Sequence, residues 1–196
     1  WVLWRTNQHT DSHIEKIEDL SRAIPFSSIN TTVKVTSKPI YGKGSHLSFK
    51  VTDDRSNSMR AWAYEPTKGF RKDLSELEIG DRIDIWASVR EGERTHSLNL
   101  EKIYVHHVED LVEEINPRCP ECGGPTESMG RRQGLRCKYC GKKDGIYRLK
   151  RNVERFLLKG PIEPPQVAWR HLFKPTGSQP PTELKISRPF FGVFQQ

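Results

Sequence analysis

Apolar and polar residues alternate over short stretches between residues 31 and 108. Leu47, Phe49 and Val51 are separated by polar residues, and the same alternation runs from Ile83 to Val89. Alternation with a period of two is typical of strands that bury one face. Three further segments complete five predicted strands, the last with Glu101 and Lys102 able to form a bulge: Thr31–Ser37, Met59–Tyr64 and Leu98–Val105.

One helical stripe interrupts this series of strands. Phe70, Leu74 and Leu77 recur at helical spacing, and Gly80 and Asp81 end the pattern. The predicted order is three strands, a helix and two strands, which is the order of the OB-fold, a five-stranded barrel. An SH3-like barrel is the alternative, and the position of the helix favours the OB-fold. The fold class is therefore mainly β.

The segments on either side of the barrel have weaker patterns. Trp1–Trp4 is a candidate short strand, and Ile14, Ile17 and Leu20 fall at helical spacing. Glu109–Ile115 is a candidate short helix. The last thirty residues combine aromatic residues with prolines, so we expect an extended segment that packs on another surface.

All four cysteines lie in one module. Cys119 and Cys122 form one C-x-x-C pair, Cys137 and Cys140 form another, and glycine follows each pair. Two such pairs can place four sulfurs around one ion, as in a structural zinc ribbon. Two disulfides or a rubredoxin-like iron site are the alternatives. Since four thiolates leave no open coordination position, we expect a structural Zn²⁺ and no catalytic metal.

The excess positive charge is concentrated around these cysteines. Residues 118–155 contain eleven basic and four acidic residues, which accounts for the whole net charge of +7. Such clustering attracts phosphate backbones, although a solvated basic surface is the alternative. The loop between the pairs carries Arg131 and Arg132 between glycines, and Arg136 and Lys138 flank the third cysteine. We predict RNA contacts for these four side chains.

A second candidate RNA surface lies on the predicted barrel. OB-folds bind oligonucleotides on the face of their second and third strands, where aromatic rings stack on bases. This region offers aromatic and basic side chains, including Phe49 and Phe70 and, as candidate RNA contacts, Trp62, Tyr64, Lys68 and Arg71. The alternation leaves open whether Trp62 and Tyr64 point into the core or outward.

Several motifs resemble those of the archaeal tRNA(Ile) agmatidine synthetases. The most specific is Tyr-Glu-Pro-Thr-Lys-Gly-Phe-Arg at residues 64–71. Four others also match: residues 4–13 (with His9 where the family has Gly), Leu98–Ile103, the ribbon from Cys119 to Cys140, and an Arg-His-Leu element within Ala168–Pro175. Together they cover most of residues 1–175, and from the last element Arg170, His171 and Lys174 are further candidate RNA contacts.

The resemblance implies an enzyme that uses ATP to attach agmatine to the wobble cytidine of tRNA(Ile) with a CAU anticodon. It also implies a domain order: residues 1–28 the end of a ferredoxin-like domain and a connector, 29–110 the OB-fold, 115–150 the ribbon, and 151–196 an extended segment. The kinase-like domain that would bind ATP and Mg²⁺ has no counterpart here. Because the chain begins at Trp1 and not Met, we expect a non-catalytic, tRNA-binding part of a longer protein.

Two other functions remain open at this point. A single-stranded-DNA-binding protein of the archaeal replication protein A type would also combine an OB-fold, a ribbon and positive charge. A zinc hydrolase is disfavoured by the closed four-thiolate site. Without an apolar run of 18 residues or a secretory signal, we expect a cytoplasmic protein with no membrane partner.

Overall fold

Five strands close a barrel in the computed structural model, which describes residues 7–92, 95–130, 133–157 and 159–177. The strands are β2 (Ser28–Val35), β4 (Leu47–Thr52), β5 (Ser58–Ala63), β6 (Arg82–Arg90) and β7 (Ser97–His107). Neighbours pair in the order β2, β6, β7, β5, β4, and β4 returns to β2 to close the barrel. Helix α1 (Gly69–Leu74) lies between β5 and β6. The predicted OB-type barrel is therefore confirmed.

The core of the barrel follows the alternation of the sequence. Ile83, Ile85 and Ala87 of β6 are fully buried, and the residues between them face outward. Phe49 and Phe70 are also buried in this core, so neither ring can stack on a base. Each fully buried large apolar side chain contributes roughly 1.5–3 kcal/mol, which explains why the period of two is so strongly expressed.

Three short strands extend the barrel sheet. β1 (Ile14–Lys16) runs parallel to β2, β3 (Ile40–Tyr41) pairs with β4, and β12 (Gly160–Ile162) pairs with β7. The helical spacing of Ile14, Ile17 and Leu20 was therefore misleading, since only Leu20–Arg22 forms a single 3₁₀ turn. Three apolar residues are too few to hold a helix when a neighbouring strand offers hydrogen bonds.

A bulge interrupts the pairing of β6 with β7. Trp86 pairs with Lys102 and the adjacent Ala87 pairs with Leu100, so Glu101 is the extra residue. The predicted bulge is confirmed. Its consequence is that two charged residues in succession, Glu101 and Lys102, are both buried.

The segment predicted as a short helix after the barrel is a strand. β8 (Leu111–Ile115) pairs antiparallel with β11 (Leu149–Val153), and the helix prediction for Glu109–Ile115 was wrong. The partner strand is more than thirty residues away along the chain, so local sequence could not reveal it. The ribbon lies between these strands and contains the hairpin of β9 (Thr126–Ser128) and β10 (Leu135–Cys137).

The chain after β11 returns to the barrel. It contributes β12, then a 3₁₀ turn at Gln166–Ala168, and buries Phe173. Within the described residues no helix is both long enough and apolar enough to cross a membrane. The predictions for Trp1–Trp4 and for the end of the C-terminal segment, residues 178–196, lie outside the described residues.

Candidate metal centre and nucleic-acid surface

The four cysteine sulfurs converge on one point. The Sγ atoms of Cys122 and Cys137 are 3.3 Å apart, those of Cys122 and Cys140 3.5 Å, and those of Cys119 and Cys140 3.6 Å, with all four within 4.8 Å of one another. A disulfide needs about 2.05 Å between sulfurs. Four ligands at about 2.3 Å from a tetrahedral zinc lie about 3.8 Å apart. The cluster thus fits a four-thiolate metal and not disulfides.

Backbone geometry explains the glycine after each cysteine pair. The N–H of Gly123 donates to the carbonyl of Cys119 (2.9 Å), and that of Gly141 donates to the carbonyl of Cys137 (3.2 Å). Both glycines have positive φ, 67° and 72°. This left-handed backbone is costly for residues with a Cβ, so the predicted need for glycine is confirmed.

Backbone N–H groups prepare two of the thiols for metal binding. The N–H of Cys122 lowers the pKa of Cys119, and the N–H of Cys140 lowers the pKa of Cys137 to about 6. At Cys140 the N–H of Lys142 acts to lower the pKa, but contacts with the other thiols and burial raise it to about 12. Because metal binding requires thiolates, the ion would displace the remaining protons and complete a closed structural site.

Much of the ribbon's positive charge is paired internally. Arg136 and Lys138 both face Glu127, at 2.9 and 3.6 Å, and the hydrogen bond from Arg136 lowers the pKa of that carboxyl. Similar pairs join Lys142 to Glu121, Arg148 to Glu114, Arg151 to Glu113 and Arg155 to Asp81. Arg131 and Arg132 lie outside the described residues. The charge available for a partner is therefore smaller than the composition suggests.

The barrel presents its aromatic pair outward. Ala61 and Ala63 of β5 are in the core, so Trp62 is on the opposite face, and Tyr64 follows it there, both half-buried. Their rings are stacked at 6.3 Å with an angle of 10°. His46 packs edge-on against Tyr64 at 5.0 Å. The question left open by the alternation is thereby answered, because these rings lie on the surface where an OB-fold binds nucleic acid.

The two basic candidates beside these rings differ in availability. Lys68 is exposed and precedes α1 with a positive φ of 47°. Arg71 is mostly buried: it donates to the carbonyl of Ser45 and to Glu65, and ties together two loops. Its predicted RNA contact would require it to leave these partners.

The C-terminal Arg-His-Leu element is bound to the barrel at the bulge. Arg170 donates to Glu101 (3.0 Å) and to Ser88 (3.3 Å), while His171 is exposed. Lys174 contributes its backbone here, donating its N–H to Asp11 at 2.8 Å and accepting from Lys102 through its carbonyl. The predicted RNA contact of the Lys174 ammonium group stays a prediction.

Lys102 is the centre of this junction, and sequence reasoning missed its role. Its ammonium group donates to Asp11 at 2.6 Å and lies over the rings of Trp86 and Phe173, at 5.2 and 4.9 Å from their centroids. The only sequence signal was the break in alternation within the last strand.

Comparisons with known proteins agree with this architecture. Residues 116–157 match the family of TiaS C-terminal zinc ribbon domains. The chain is 38% identical over 177 residues to the tRNA(Ile) 2-agmatinylcytidine synthetase TiaS of Staphylothermus marinus, covering 89% of this chain and 38% of that protein. For the TiaS of Methanosarcina acetivorans the values are 36% over 186 residues, 95% and 42%. The chain therefore spans about two fifths of the length of these relatives.

Solved structures give the same result. The complex of TiaS with tRNA(Ile) and ATP matches with a TM-score of 0.75 at 36% identity, covering 86% of this chain and 38% of that one. The complex of TiaS with tRNA(Ile), AMPCPP and agmatine matches with a TM-score of 0.69 at 32% identity, covering 86% and 37%.

Proposed function

We propose that this chain, which is homologous to the archaeal TiaS proteins along its barrel and its ribbon, binds and positions tRNA for an ATP-dependent tRNA(Ile) agmatidine synthetase. Its tRNA carries the CAU anticodon, and the parent enzyme joins agmatine to the wobble cytidine. The observation that carries the proposal is the structural match to TiaS bound to tRNA(Ile), with a TM-score of 0.75. The site of action is the cytoplasm.

Two surfaces of the chain support tRNA binding. The barrel offers the outward-facing stack of Trp62 and Tyr64 beside Lys68, and stacking on aromatic rings suits unpaired bases. The ribbon offers Arg131, Arg132 and the partly paired Arg136 and Lys138 for phosphates. The zinc would hold the ribbon hairpin and thus the position of its basic loop.

The chemistry belongs to residues outside this chain. The one metal cluster found among the described residues is a closed set of four thiols, with no coordination position for a substrate. ATP, Mg²⁺ and agmatine would be bound by the catalytic domain of the parent protein. The chain incubated with tRNA(Ile), ATP, Mg²⁺ and agmatine should therefore yield no agmatidine in a mass-spectrometric nucleoside analysis, while a complete TiaS in parallel should. Turnover by the chain alone would mean that the catalytic centre has been misplaced.

Direct binding tests the proposal. Fluorescently labelled tRNA(Ile) with a CAU anticodon, titrated with the chain, should bind with a log affinity that falls linearly with the logarithm of salt concentration. Unlabelled single-stranded DNA of similar length should compete weakly. Stronger binding of the DNA than of the tRNA would contradict the proposal and favour a single-stranded-DNA-binding protein.

A further inference from the structure

A small cavity lies where the C-terminal segment covers the outer face of the barrel. Its volume is about 230 Å³, and Tyr64, Asn99, Glu101, Arg170 and Phe173 are among the residues that line it. This volume is below the range of roughly 300–1,000 Å³ typical of pockets for drug-sized ligands. The cavity therefore suits one small planar group.

Asn99 is the unusual residue of this cavity. It is 6% exposed, and in β7 it is paired with Trp62 and Ser88, which places it on the outer face of the barrel. Its side-chain amide makes no hydrogen bond with any residue that the structure describes, although it lines the cavity. A buried amide without partners destabilises a fold. Such a group is explained if a ligand supplies the missing partners.

The charges around the cavity restrict the kind of ligand. The Glu101 carboxylate is already paired with His13 at 3.3 Å and Arg170 at 3.0 Å, so it offers little attraction to a cation. The same carboxylate disfavours a phosphate. Arg170 makes both of its hydrogen bonds through Nη1, which leaves Nε and Nη2 as donors. An uncharged ligand with both donors and acceptors on one edge fits this set.

We infer that the cavity binds one unpaired purine base of an RNA. An asparagine amide matches the N6–N7 edge of adenine, an arginine donates to N7 or O6 of guanine, and Tyr64 and Phe173 provide aromatic walls. The inference rests on the proposed function, since tRNA presents unpaired bases in its loops and at its 3′ end, where proteins read single bases.

The test replaces Asn99 by leucine, which has a similar size and needs no hydrogen bonds. The probes are the tetranucleotides rA₄ and rU₄, titrated by calorimetry into the whole chain. The wild-type protein should bind rA₄ more tightly than rU₄. Asn99→Leu should weaken rA₄ binding by roughly 5- to 150-fold, leave rU₄ binding unchanged, and keep or raise the Tm because an unsatisfied buried amide has been removed. The control Asn152→Leu, at an exposed position of β11, should change neither affinity.

Three results would overturn the inference: no preference for rA₄ in the wild type, unchanged rA₄ binding in Asn99→Leu, or a lower Tm together with weaker binding, which would make the amide structural. Titration of tRNA(Ile) into the same proteins separates this inference from the proposed function. Wild-type tRNA affinity without purine preference refutes the cavity site alone. Loss of tRNA binding with purine preference retained refutes the proposed function alone.

Discussion

Arg155 grips both carboxylate oxygens of Asp81, with Nη1–Oδ1 and Nη2–Oδ2 distances of 2.5 and 2.8 Å. Asp81 is fully buried and also accepts the backbone N–H groups of Glu78 and Glu109, both at 2.8 Å. The hydrogen bonds to Asp81 raise the pKa of Arg155. This pair attaches the chain that leaves the ribbon to the barrel, at the start of β6.

Removing this guanidinium should destabilise the barrel strongly. Arg155→Ala leaves a buried, uncompensated carboxylate, and we expect a loss of about 3–5 kcal/mol in the free energy of unfolding. Arg155→Lys should recover only part of this, because lysine lacks the two-pronged geometry. Urea unfolding measures the effect. The control Arg151→Ala removes an exposed ion pair with Glu113 and should cost no more than about 1 kcal/mol. Equal losses in both alanine variants would contradict the role assigned to the buried pair.

Lys102 should hold the C-terminal segment on the barrel. Lys102→Met removes the ammonium group that joins Asp11, the carbonyl of Lys174 and the ring of Phe173. Because Asp11 then loses its buried partner, we expect a loss of about 3–5 kcal/mol and faster chymotrypsin cleavage near Trp169 and Phe173. Lys143→Met, outside this junction, should be cleaved like the wild type. An unchanged cleavage rate in the Lys102 variant would show that the segment is held by other contacts.

The ribbon should depend on zinc, whereas the barrel should not. The purified chain should contain about one zinc per molecule by elemental analysis. Cys137→Ala should unfold the ribbon, since its small core consists of Cys119, Leu135, Cys137 and Ile146 and cannot persist without the metal. In NMR spectra the signals of the barrel, which has a separate core, should stay dispersed. Disulfides in place of a metal, or loss of barrel signals, would refute this prediction.

Trp62 should contribute stacking and not charge. Because its ring lies on the outer face of the barrel, Trp62→Ala should weaken tRNA binding by roughly 1–3 kcal/mol and leave the salt dependence nearly unchanged. Phe26→Ala, which removes an exposed ring from the connector before β2, is the matched control and should bind as the wild type does. A large fall in Tm with unaltered affinity would show that the Trp62 ring serves the fold alone.

The arginines of the ribbon loop should act through phosphates. Replacing Arg131 and Arg132 by alanine should remove up to two contacts, and each lost contact should reduce the slope of log affinity against log salt by roughly 0.7–0.9. The paired arginines Arg148 and Arg151 provide a control, because their charges are already compensated by Glu114 and Glu113. Wild-type affinity and slope in the Arg131/Arg132 variant would identify the loop as a solvated surface and direct attention to Lys68 and Arg170.

Local sequence determined the barrel and the metal cluster. The period of two in β4 and β6 and the helical spacing after β5 depend only on neighbours along the chain. The two C-x-x-C pairs likewise depend on a local turn that glycine permits, and the bulge at Glu101 was visible as two charges in a strand.

Tertiary structure decided what local patterns leave symmetrical or silent. A strand has two faces, so the alternation around Trp62 could not say which was buried until β4 and β7 packed beside it. β8 needed the distant β11 to be a strand, and the partner of Asp81 lies 74 residues further on. Asn99 and Lys102 are buried only because the C-terminal segment returns to cover them. Pairing over such distances depends on the whole chain, since each contact becomes favourable only after the segments between its partners have folded.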